Sequence, residues 1–133
     1  MDDIAVEQLV SQAPGQGQKH PQVLLTSSAS ALSSATEIRV PDAGGGTYLA
    51  IFWGEKPTGG YSLEIRSVRA AGDRVKVHLS LKEPPEDAMV TQILTYPYAV
   101  AVVRNEDLAQ REVFLENQGG RSLDWPVRVL EGG

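Results

Sequence analysis

Tyr61-Ser62-Leu63-Glu64-Ile65-Arg66-Ser67-Val68-Arg69-Ala70-Ala71-Gly72-Asp73-Arg74-Val75-Lys76-Val77-His78-Leu79-Ser80-Leu81-Lys82 is the stretch that decides the fold. Tyr61, Leu63 and Ile65 alternate with Ser62, Glu64 and Arg66, the period-two pattern of a strand with one apolar face. The phase shifts at Ser67-Val68, where one extra residue in a bulge returns Val68 and Ala70 to the apolar side. Ala71-Gly72-Asp73-Arg74 is a hairpin signal with Gly-Asp at its centre. Val75, Val77, Leu79 and Leu81 then alternate with Lys76, His78, Ser80 and Lys82. Two such strands joined by so short a turn pair antiparallel.

Upstream, Tyr48-Leu49-Ala50-Ile51-Phe52-Trp53 is apolar on both alternate sets, as a strand covered on both faces is. Pro41-Asp42-Ala43-Gly44-Gly45-Gly46 before it reads as a loop between strands. It lacks the Gly-x-x-x-x-Gly-Lys and Gly-x-Gly-x-x-Gly spacings that cradle phosphates. Earlier still, Ile4-Ala5-Val6 and Leu9-Val10 fit a strand or a short helical turn. Ala13 to Gln18 is a turn, and Val23-Leu24-Leu25 a short strand. Ser27 to Thr36 is either a surface loop or one to two helical turns carrying Leu32, capped by Ser27 or Ser28.

Downstream, Pro84-Pro85-Glu86-Asp87 is a loop and Val90 to Thr95 a strand candidate. Pro97 interrupts it, because proline cannot donate to a ladder. Ala99 to Val103 resumes as a strand. Asn105 to Gln110 holds a possible short helix, Glu112 to Glu116 a strand, Asn117 to Arg121 a turn, and Val127 to Leu130 a last strand. The reading is a mostly β chain: a single antiparallel β-sandwich or half-open barrel of about six to eight short strands, with one or two short helices. Residues 1–133 form one domain, with an irregular region at 1–46, a β core at 47–104 and C-terminal strands at 105–133.

Composition agrees with one globular unit and narrows its chemistry. The chain has 133 residues, 41% of them hydrophobic, and no cysteine. That excludes disulfides, a cysteine nucleophile and thiolate metal sites. Seventeen acidic against twelve basic residues give a net charge of −5, whose field repels a phosphate backbone, so no nucleic-acid partner is expected. Met1-Asp2-Asp3 lacks the positive charge that opens a secretory signal, and no run approaches the roughly 18 apolar residues of a membrane span. Neither a signal peptide nor a membrane span is therefore expected within these residues, and the compartment stays open.

No catalytic constellation emerges. His20 lies in a loop and His78 on a solvent face, without metal-ligand spacing between them. No Gly-x-Ser-x-Gly elbow is present. Glu83, Glu86 and Asp87 fail the calcium-loop pattern. No metal, cofactor or enzymatic activity is expected.

Two segments stand out as contact surface. Gly54-Glu55-Lys56-Pro57-Thr58-Gly59-Gly60-Tyr61 connects the buried strand to the alternating one. Pro57 presets its turn, and Gly59-Gly60 supply conformations that other residues resist. Tyr96-Pro97-Tyr98 places two aromatics around a rigid backbone, as interface anchors often do. A purely structural connection and a core-edge cap account for the same residues.

In this setting the run from Tyr48 through Val103 resembles the C-terminal domain of the PrcB family of bacterial protease-complex subunits. The matching features are the strand ending in Gly54, then Lys56-Pro57-Thr58-Gly59-Gly60-Tyr61, the Gly-Asp hairpin, Val90-Thr91-Gln92 and Thr95-Tyr96-Pro97-Tyr98. Gln16-Gly17 and the Ser-rich stretch also look like the family's upstream region. The resemblance implies a non-catalytic subunit that accompanies a subtilisin-like protease, in a family whose members are often secreted or lipid-anchored. A looser architectural likeness joins the Lys56–Tyr61 loop to chagasin-type inhibitors of papain-like proteases, immunoglobulin-like sandwiches with Asn-Pro-Thr-Thr-Gly-Tyr in a loop. The expected function is a non-catalytic accessory domain binding a protein partner, a protease among the candidates. Its contact residues would be Lys56, Pro57, Thr58, Gly59, Gly60, Tyr61, Tyr96, Pro97 and Tyr98. The alternatives are a loop-based protease inhibitor and a structural or small-ligand-binding β domain. Oligomeric state stays open.

Overall fold

The computed structural model describes residues 2–11, 18–104 and 107–130. Its strands are β1 (Asp2–Ile4), β2 (Val6–Ser11), β3 (Gln22–Thr26), β4 (Thr47–Phe52), β5 (Ser62–Ala71), β6 (Arg74–Lys82), β7 (Tyr98–Val103), β8 (Glu112–Glu116), β9 (Ser122–Leu123) and β10 (Val127–Val129). One helix, α1 (Ala29–Thr36), and a 3₁₀ turn at Leu108–Gln110 complete the elements among the described residues. The expected turn at Ala13–Gln18, Gln16-Gly17 and the start of the Asn105–Gln110 segment fall largely outside the described residues.

β5 and β6 pair antiparallel around Gly72-Asp73, with Leu63 opposite Leu81 and Ala71 opposite Arg74. The register shifts between Ile65 and Ser67, so Arg66 is the extra residue and Val68 returns to the buried face. Around this hairpin one sheet runs β1-β5-β6-β8-β9. The other runs β10-β3-β4-β7-β2.

Each sheet contains one parallel pair, β6 with β8 and β10 with β3, so both are mixed rather than purely antiparallel. The ten strands exceed the expected six to eight because β1, β2 and β9 add short edges to the two sheets. Neither sheet closes on itself, so the molecule is sandwich-like and not a barrel.

Two apolar layers explain the burial patterns. Between the sheets, Leu63, Ile65, Val68, Val75, Val77 and Leu79 meet Val23, Leu49, Ile51, Ala101 and Val103. On the opposite face of the second sheet, Leu24, Tyr48, Phe52, Tyr98, Val100 and Val102 lie under Leu32, Ile38 and Val40. β4 and β7 are therefore buried along their whole length, which is why neither alternates in sequence.

The Ser-rich segment resolves in favour of a helix. Ser28 accepts the Ala31 N–H on its side chain at 3.1 Å and so caps the first turn. Leu32 is fully buried and gives the eight-residue helix its anchor, since a helix this short has little stability of its own.

Val90 to Thr95 is not a strand. Its one ladder contact is an isolated bridge between Thr95 and Lys56. Ile93 and Leu94 are exposed, so their apolar character marks surface rather than a buried face. Pro84-Pro85 and Pro97 bracket the segment, and having no N–H of their own they do not extend a ladder beyond it.

Candidate functional site

β4 delivers Trp53 to the end of the inter-sheet core, and Gly54 turns the chain away at φ +98°. A Cβ at Gly54 would lie 3.0 Å from Pro21 Cδ, so glycine lets the 18–21 segment pack against the turn. The Glu55 N–H donates to Lys19 O at 3.0 Å and fixes the exit direction.

From there the loop folds back over its own strand. The Lys56 ammonium lies 4.4 Å from the Trp53 ring centroid and 5.7 Å from that of Tyr61. The two rings meet edge to face, 5.7 Å apart at 75°. A cation over two aromatic faces is attracted by their quadrupoles, the more strongly where water is partly excluded. Burial lowers the Lys56 ammonium below the ordinary lysine value, and the carboxylate of Glu83 opposes that shift.

The second segment is bonded to the first. Lys56 N–H donates to Thr95 O at 2.7 Å, and Thr95 N–H returns to Lys56 O at 2.9 Å. Gly59 N–H donates to Thr91 O at 2.9 Å, and the Thr95 hydroxyl donates to Thr58 O at 2.6 Å. The Tyr96 hydroxyl donates to Glu55 Oε1 at 3.1 Å. That bond raises the Tyr96 hydroxyl above the ordinary tyrosine value, because it holds the proton beside a carboxylate. Trp53 N–H donates to Pro97 O at 3.0 Å.

Gly60 closes the platform. Its φ is +89°, and a Cβ there would lie 2.7 Å from Pro84 Cβ and 3.0 Å from Val90 Cγ1. Gly59 is outside the left-handed region and has ordinary distances around it. One of the two glycines is demanded by the backbone; the other is not.

Of the residues expected from sequence, Lys56, Pro57, Thr58, Gly59, Gly60, Tyr61 and Tyr96 come together on this end of the sandwich. Pro57 and Gly60 are exposed, and Lys56, Thr58, Gly59, Tyr61 and Tyr96 are half-buried. Pro97 is buried and serves through its carbonyl. Tyr98 belongs to the core instead: it is fully buried and its ring lies 5.9 Å from that of Phe52.

The residues that sequence reasoning missed are Met89, Ile93 and Leu94. They are large, apolar and exposed, on the loop that the motif holds. Glu83 to Pro97 carries three acidic side chains, Glu83, Glu86 and Asp87, and no basic one. Its flanking prolines were the signal that its apolar residues sit in a loop rather than a strand.

His78 lies on the outer face of β6, as its alternation predicts, and it has a partner that its place in the sequence does not reveal. Glu116, 38 residues away, brings Oε1 to 3.2 Å from its Nδ1 across the parallel β6–β8 pair. Among the described residues no group of three or more histidines and carboxylates is placed to hold a metal ion.

Fold and site together define a two-sheet β domain in which one glycine-containing turn braces an acidic, apolar-tipped loop. Residues 47–104 match the family model described as PrcB C-terminal, so the PrcB resemblance of this stretch is borne out. The match runs from the first residue of β4 past the end of β7 and contains both site loops. The looser chagasin likeness has no match behind it. No curated protein and no solved structure matches the chain.

Proposed function

We propose that the protein is a non-catalytic accessory domain that binds a protein partner, with a protease complex as its setting. The observation that carries this reading is the bonding of Glu55–Gly59 to Thr91–Tyr96, which braces a loop on which Ile93 and Leu94, and Met89 just before it, are exposed. A braced loop loses little conformational entropy on binding. Exposed large apolar side chains beside an aromatic platform supply the area that a protein interface needs. The PrcB C-terminal match supports the protease setting.

The test is affinity capture from the native organism with the wild-type chain and with an Ile93→Ser/Leu94→Ser variant, read by mass spectrometry. A protease, or a protein that assembles with one, should be retained by the wild type and lost with the variant. Assaying the captured protease with and without the domain then separates an accessory subunit from an inhibitor. Equal capture by both chains removes this surface from the reading.

A further inference from the structure

The outer face of the β5-β6-β8 sheet carries a polar hollow of about 210 Å³ that the partner-binding reading does not use. It is lined by Ser67, Arg69, Lys76, His78 and Glu116. The register explains the grouping. Ser67 stands opposite His78 and Arg69 opposite Lys76 on the β5–β6 pair, while Glu116 flanks His78 from β8. The four donors thus form a two-by-two array on one face.

Their partners aim them. Glu116 takes His78 Nδ1 at 3.2 Å through one oxygen and Lys76 Nζ at 3.6 Å through the other. Arg69 uses Nε toward Asp3 of β1 at 2.9 Å. That leaves His78 Nε2, the terminal guanidinium nitrogens of Arg69, further Lys76 protons and the Ser67 hydroxyl beside the hollow. Asp3 and Glu116 are the carboxylates beside these cations.

We propose that this hollow is a binding site for a tetrahedral dianion of the phosphate or sulfate class, and that protonation of His78 tightens it. With His78 neutral, Arg69 and Lys76 are balanced by Asp3 and Glu116, and the site is weak. With His78 protonated, Nε2 becomes a donor, its charge is added, and the balance favours an anion. One added unit charge about 4 Å from a dianion in water is worth about thirtyfold in affinity.

Sulfate is the probe, because it stays a dianion throughout the histidine range. The side-chain NMR signals of the two histidines are followed while sulfate replaces chloride at constant ionic strength, at about pH 5.5 and about pH 8. His78 signals should shift saturably and His20, in its loop away from the hollow, should stay still. Binding should be tighter at the lower pH by up to about thirtyfold. Lys76→Gln and Arg69→Gln should each weaken it several-fold, with unchanged amide spectra reporting an intact fold. Glu116→Gln should tighten it at the higher pH, an effect of opposite sign that no loss of folding imitates. Inorganic phosphate against O-phosphoserine at the higher pH distinguishes a free ion from an esterified phosphate. Shifts of both histidines in parallel without saturation, or a Glu116→Gln variant that binds more weakly, overturn the proposal.

Discussion

Lys56 lies over the Trp53 ring, its ammonium 4.4 Å from the centroid, while its own backbone makes both hydrogen bonds of the bridge to Thr95. One residue therefore couples the end of the inter-sheet core to the loop that carries the exposed apolar side chains. The aromatic ring fixes the side chain, and the bridge fixes the chain on either side of it.

The charge on Lys56 gives this coupling a pH signature. Burial lowers its folded-state value below 10.5, so in the alkaline window just under 10.5 the unfolded chain holds more protons than the folded one. Stability therefore rises with pH through that window, and the penalty for the buried charge is fully present below it. Lys56→Met keeps the packing and removes the titration. Denaturant midpoints of wild type and Lys56→Met, followed from neutral pH upward, should diverge in favour of the wild type as that window is crossed. Parallel curves would show that Lys56 does not titrate differently on folding.

Gly59 and Gly60 are adjacent in sequence and opposite in consequence. Gly60→Ala places a Cβ at φ +89° and 2.7 Å from Pro84 Cβ, with two costs at one site. It should destabilise the fold by about 1–3 kcal/mol. Gly59→Ala meets nothing closer than 3.5 Å from Thr91 and should stay within about 1 kcal/mol of wild type. Chemical denaturation of both variants checks the contrast.

Tyr98 is a core residue, and its substitution reports on stability. Its side chain is fully buried among Phe52, Val100 and Val102 under α1 and the Ile38–Val40 segment. Tyr98→Ala should cost about 3–5 kcal/mol, in the range of other large-to-small aromatic changes in cores. Loss of partner binding by that variant would then follow from unfolding, and its thermal melt should show this directly.

Much of the fold was legible because its central hairpin has one wet face. Leu63 and Ile65 against Val75, Val77 and Leu79 announce their period, and the shift at Arg66 appears in the sequence as a phase error. β4 and β7 were legible by the opposite sign, unbroken apolarity, because α1 and Ile38–Val40 cover their second face. The parallel β6–β8 and β3–β10 pairs were not legible, since register across dozens of residues leaves no local trace. For the same reason Glu116 gave no hint that it would meet His78.

The site was half legible. Lys56–Tyr61 announces a special turn, but sequence does not say what the turn holds. It holds Thr91 and Thr95 through backbone bonds, and residues between them point Ile93 and Leu94 outward. An apolar run reads as a buried strand by default, and here the prolines around it overrule the run.

That outward apolar tip separates the structural and interface readings of the motif most sharply. Ile93 and Leu94 keep 55% and 56% of their surface exposed, so replacing them with serine removes only part of a side chain's burial. Each change should cost no more than about 1 kcal/mol of stability, well short of unfolding the domain. If the tip anchors a partner, the same double change should cost more than about 2 kcal/mol of binding, because anchors of this kind concentrate interface energy. Gly60→Ala should also weaken binding, since it disturbs the brace rather than the contact. Isothermal titration of the three chains with the captured partner checks both effects together. Full affinity in the Ile93→Ser/Leu94→Ser chain would reduce the Lys56–Tyr61 turn to architecture. Full affinity in Gly60→Ala with loss in the double variant would keep the tip as the anchor and relieve the turn of any part in presenting it.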